Sequence, residues 1–89
     1  MSVQGEFQRV LRDCLELLER EPPEDGELAD ALARAAREGR DDLLGASRRV
    51  LELLSDDARE HGFASALAGE EFRDRAEHLA ALCRVILGS

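Results

Sequence analysis

The run VQGEFQRVLRDCLELLERE, residues 3–21, decides how the rest of the chain is read. A helix turns about 100° per residue, so with Phe7 at zero, Val3, Val10, Leu11, Cys14, Leu15, Leu17 and Leu18 fall within an arc of about 160°. Glu6, Gln8, Arg9, Arg12, Asp13, Glu16, Glu19 and Arg20 fill the opposite side. No residue breaks the pattern. An amphipathic helix over 3–21 follows, and Pro22-Pro23 cannot continue it, because proline lacks the amide hydrogen and clashes with the preceding turn.

The same reading extends down the chain. A short helix over about 26–38 turns Leu28, Ala31, Leu32, Ala35 and Ala36 inward, with Asp25 as a candidate N-cap and Gly39 as its stop. Its alanines allow close approach but bury little apolar area. Asp41 is placed to cap a third helix over about 42–60, with Leu43, Ala46, Val50, Leu51, Leu53, Leu54 and Ala58 inward. Gly45 inside that helix costs about 1 kcal/mol relative to alanine, which predicts a close helix contact there. Gly62 closes the third helix, with Phe63 folding back over its last turn. In the fourth, over about 66–87, Phe72, Ala76, Leu79, Cys83 and Ile86 step by four, three, four and three, and Ala80, Leu82 and Leu87 widen the seam.

Four amphipathic helices on short connections imply antiparallel neighbours. The expected fold is all-α: one domain over 1–89, a four-helix up-down bundle, monomeric or dimeric. Composition agrees. Leu, Ala, Glu and Arg dominate, while Thr, Tyr and Trp are absent and Val and Ile are few, so a sheet has little to be built from. Eighty-nine residues give one marginal core, burying roughly 60–65% of the surface the unfolded chain exposes.

Charge narrows the function classes. The net charge of −8 opposes sequence-independent nucleic-acid binding and docking on an anionic membrane. No apolar run approaches a spanning length and Met1–Leu15 has no signal-peptide pattern, so a cytoplasmic location is expected. All twelve cations are Arg, spread over every helix with acids beside them, which suits GC-rich codon usage better than a guanidinium site. Acids cluster instead: Glu16 to Asp30 holds seven acids and one Arg, Arg34 to Arg49 five Arg and three acids, and Glu52 to His78 eight acids and three Arg.

Chemistry-bearing motifs are sparse. Cys14 and Cys83 sit on apolar faces outside any Cys/His ligand spacing and read as reduced core residues, not a zinc site. Asp57 and His61, like Asp74 and His78, are four apart and can touch on a helix. The Glu-x-x-His of di-iron bundles is missing, because Ala58 and Arg75 stand three before the two histidines. His78 faces the charged side and pairs on this reading with Asp74. Extrapolation of the third helix puts Asp57 and His61 within about 20° of Val50, while Arg75 lies about 60° from Phe72. A buried polar cluster of Asp57, His61 and Arg75 is therefore a candidate. No nucleophile elbow or phosphate loop occurs, so neither an enzyme, a cofactor nor a metal is expected.

The function expected from these residues is protein–protein interaction, as an adaptor, regulatory subunit or self-associating homodimeric bundle. Apolar contact would come from edges of the first and fourth helices such as Val3, Leu15, Leu82 and Val85. The alternative is an acidic inhibitor, of antitoxin or phage nuclease-inhibitor type, covering a cationic nucleic-acid-binding protein through Glu19, Glu21, Glu24, Asp25 and Glu27. A second alternative is a metal or small-ligand sensor using the histidines.

Overall fold

The computed structural model describes residues 2–20, 27–60 and 70–88, with the backbone alone for Asp57 and Glu60. Four helices account for nearly all of them: α1 (Val3–Arg20), α2 (Glu27–Glu38), α3 (Leu43–Glu60) and α4 (Glu70–Gly88). Among the described residues there is no strand. Pro22-Pro23, Asp25, Gly62, Phe63 and positions 66–69 lie outside the described residues.

Each helix packs against two others, in the cyclic order α1, α2, α3, α4 and back to α1. Cross-helix pairs fix the directions. Gly39, just after α2, sits between Phe7 near the start of α1 and Ala46 near the start of α3. Glu38 at the end of α2 pairs with Arg49 of α3. Arg20 at the end of α1 pairs with Glu71 at the start of α4, at 3.4 Å. All neighbours are antiparallel, and the fold is an up-down bundle of 31 × 22 × 20 Å.

The buried side chains form one cluster. Phe7, Val10, Leu11, Cys14 and Leu18 enter it from α1, and Leu28, Leu32 and Ala35 from α2. Ala46, Val50 and Leu54 come from α3, and Phe72, Ala76, Leu79, Leu82 and Cys83 from α4. These are the stripes that helical periodicity picks out, narrowed by geometry. Leu15, Leu17, Leu43, Leu51, Leu53 and Ile86 stand at the rim, half-buried against the cluster.

Three local expectations are corrected. The cap of α3 is Asp42, not Asp41: its Oδ1 accepts from the Gly45 amide at 3.0 Å. The turn after α2 sets this register, since the amides of both Asp41 and Asp42 donate to the Glu38 carbonyl. That cap also explains Gly45, where a Cβ would collide with the Asp42 carboxylate and not with a neighbouring helix. Gly39 is not in the left-handed conformation of a typical helix stop. It is held by space, because a Cβ there would lie 2.8 Å from the Ala35 carbonyl oxygen, in a buried site beside Phe7. At the other end of the bundle order, Ser2 caps α1 by accepting from the Gly5 amide at 3.2 Å.

The two aspartates are separable by mutation. Asp42→Ala should cost about 1 kcal/mol of stability through the lost cap, and Asp41→Ala a few tenths at most. Chemical denaturation of both variants checks this, and equal losses would contradict the assignment.

Candidate acidic interaction surface

An up-down bundle puts the first and third connections at the same end. The acidic runs of the sequence straddle those two connections, so the fold gathers them. The half of the bundle made by residues 13–20, 27–31, 52–60 and 70–77 carries thirteen acids against four arginines. The opposite half, residues 2–12, 32–51 and 78–88, carries eight arginines against four acids. The molecule is strongly bipolar.

Two open grooves run through the acidic half. One, of about 970 Å³ between α1 and α4, is lined by Asp13, Glu16, Leu17, Glu19, Arg20, Glu71, Asp74, Arg75 and His78. The other, of about 570 Å³ between α2 and α3, is lined by Glu27, Asp30, Ala31, Arg34, Arg49, Glu52, Leu53 and Asp56. Core formation explains both: with the apolar stripes turned inward, the charged flanks of adjacent helices meet at the seams. The Arg20–Glu71 pair in the first groove is well exposed on both sides and contributes little to stability. Its carboxylates and guanidinium groups remain hydrated and available to a partner.

The residues singled out in the sequence fare unequally. Glu19 and Glu27 are exposed in the acidic half, while Glu21, Glu24 and Asp25 lie outside the described residues. Val3 and Val85 are exposed, at 41% and 57%. Leu15 is half-buried, and Leu82 is not an edge at all: at 8% exposure it belongs to the core, because α1 packs over that flank of α4. Leu44, 56% exposed, was missed; it follows Leu43 in an apolar pair of which only one member can face inward. Arg75 is exposed and lines the α1–α4 groove, which takes it out of a buried cluster. His61 and the side chain of Asp57 lie outside the described residues. His78 reaches across to α1, with Nε2 3.2 Å from Glu6 Oε1, instead of pairing with Asp74 along its own helix.

Comparison with known protein families, with characterised proteins and with solved structures finds no match. Among the described residues, no three His, Cys, Asp or Glu side chains are grouped so as to hold a metal ion. No helix among them is long and apolar enough to cross a membrane.

The two thiols are free and fully buried. Burial raises Cys14 to about 12, helped by the negative charge of Asp13 and opposed by Arg75. Burial also raises Cys83 to about 11, opposed by a polar contact with Ser47 and by Arg84. Ser47 is the one buried polar residue of the described core, and its hydroxyl finds no well-aligned hydrogen-bond partner. Helical periodicity places it there, since Leu43, Val50 and Leu54 stand four before, three after and seven after it on the inward stripe of α3, although its polar side chain hides the signal. The thiols are thus held protonated, the opposite of what a nucleophile needs.

This has a pH signature. A raised folded pKa stabilises the fold fully below the unfolded thiol value of 9.0, and that stabilisation is lost as pH rises towards 11 and 12. The chain has no Tyr and no Lys, so few other side chains titrate there. Between about pH 8 and 10.5 the protein should lose on the order of 2–4 kcal/mol, much of a small domain's stability. Denaturant unfolding at the two pH values measures it, and the Cys14→Ala/Cys83→Ala variant should show a flat profile. An equally flat profile for the wild type would contradict the assignment.

Proposed function

We propose that this chain is a non-enzymatic protein-binding module, an adaptor or regulatory subunit, that docks through its acidic half on a cationic surface of another protein. The observation that carries this reading is the convergence of thirteen acids from all four helices on one half of the bundle. A charge distribution of this kind raises encounter rates and orients the approaching partner. The bundle keeps its apolar core closed while presenting these groups, so docking needs no unfolding. Open grooves lined by hydrated charge suit broad electrostatic contact better than a reaction that must exclude water.

The apolar route through the α1 and α4 edges has weaker support, with Leu82 in the core and Leu15 half-covered. A narrower form of the acidic reading has the partner's cationic surface be one that binds nucleic acid. The carboxylates would then stand where phosphates stand, with Glu19 and Glu27 among the exposed anchors.

Affinity capture on the immobilised protein, followed by titration of the purified partner, tests the reading. Binding should weaken at least about tenfold between about 0.1 and 0.5 M salt. It should weaken comparably in the variant Glu16→Gln/Glu19→Gln/Glu71→Gln/Asp74→Asn, all exposed positions. Binding indifferent to both salt and these substitutions would overturn it.

A further inference from the structure

We propose that the α3–α4 face is a self-association surface on which a second copy of this chain docks antiparallel about a two-fold axis. A third groove, of about 210 Å³, runs along this face, with Leu51, Ala58, Ala76 and Ala80 supplying its apolar wall. Leu44, Leu51 and Ala58 are spaced by seven, so they share one stripe of α3. The exposed Leu44 therefore extends the apolar wall of this face towards the end of the bundle.

Charge selects the occupant. The α1–α4 groove has five acids against two arginines, and the α2–α3 groove four against two, so two copies meeting there repel each other. The α3–α4 groove has one of each, Glu77 and Arg84, both exposed. They stand seven residues apart on α4, two turns or about 10.5 Å along one face. Midway between them lie Ala80 and Ala81, small enough for two helices to cross closely. A two-fold axis through that crossing sets Arg84 against the partner's Glu77, and by symmetry does so twice. The pairing is self-complementary, which is what an isologous dimer requires.

Size sets the strength. A whole side of the molecule measures 31 × 20 Å, so even full coverage buries no more than roughly 600 Å² per copy, or about 1,200 Å² in total, the lower end of specific interfaces. The proposed dimer is accordingly weak, with a dissociation constant on the order of 100 µM. Salt acts on it in two opposing ways, screening both the repulsion between two chains of charge −8 and the two Arg84–Glu77 pairs, so the exchange of those charges and not ionic strength is its test. This inference concerns the seam between α3 and α4, which shares Glu77 with the acidic half, and it does not rest on the reading of that half as a docking surface.

Sedimentation velocity on the whole chain, from about 10 to 500 µM at physiological salt, tests it. A monomer–dimer equilibrium is expected, weakened at least about tenfold by Arg84→Glu and restored by Arg84→Glu with Glu77→Arg. Ala81→Glu, on an exposed helical position, should block the crossing without disturbing helicity. A monomer throughout the range overturns the proposal, and so does a dimer indifferent to Arg84→Glu and Ala81→Glu, or one the charge exchange fails to restore.

Discussion

The antiparallel closure of four helices on one dry core is the constraint from which the other features follow. Phe7 of α1 illustrates it. Its ring lies against the glycine after α2, which Ala46 in the first turn of α3 also approaches, and a side chain at Gly39 is excluded by the Ala35 carbonyl oxygen, 2.8 Å from where its Cβ would stand. This contact locks the start of α1 to the end of α2 and the start of α3. The up-down order then leaves α4 one position, between α3 and α1, and Phe72, Ala76, Leu79 and Cys83 fill the remaining side of the cluster. With α2 contributing mainly Leu28, Leu32 and Ala35, the core has little redundancy.

Closure also determines where charge goes. Carboxylates cannot be desolvated without partners, so each helix presents them outward. Their position along the bundle is then set by chain direction. Because the acids straddle the first and third connections, antiparallel packing turns two acidic runs distant in sequence into one acidic half. The arginines flanking the second connection collect at the other end. Bipolarity is thus a product of sequence pattern and topology together, and neither alone produces it.

The same argument shows what could be read in advance. The α1 stripe was legible because its apolar residues are large and its polar ones charged, so every position votes for a side. The convergence of acids was legible in principle, since an up-down bundle places alternate connections together. Finer features depend on which neighbour covers which flank. Leu82 reads as an edge until α1 is laid over it, and Arg75 reads as inward until the same helix directs it into a groove. The pairing of His78 with Glu6 across the interface, in place of Asp74 along the helix, has the same origin. Asp41 and Asp42 are equivalent as sequence, and only the turn at Glu38 distinguishes them.

The central claim is the antiparallel closure, and proton cross-relaxation in the native protein tests it most directly. The account predicts cross-peaks between the Phe7 ring and Gly39, and between Ser47 and Cys83, residues far apart in sequence that the closed bundle brings into contact. A well-dispersed helical spectrum lacking those cross-peaks would contradict it.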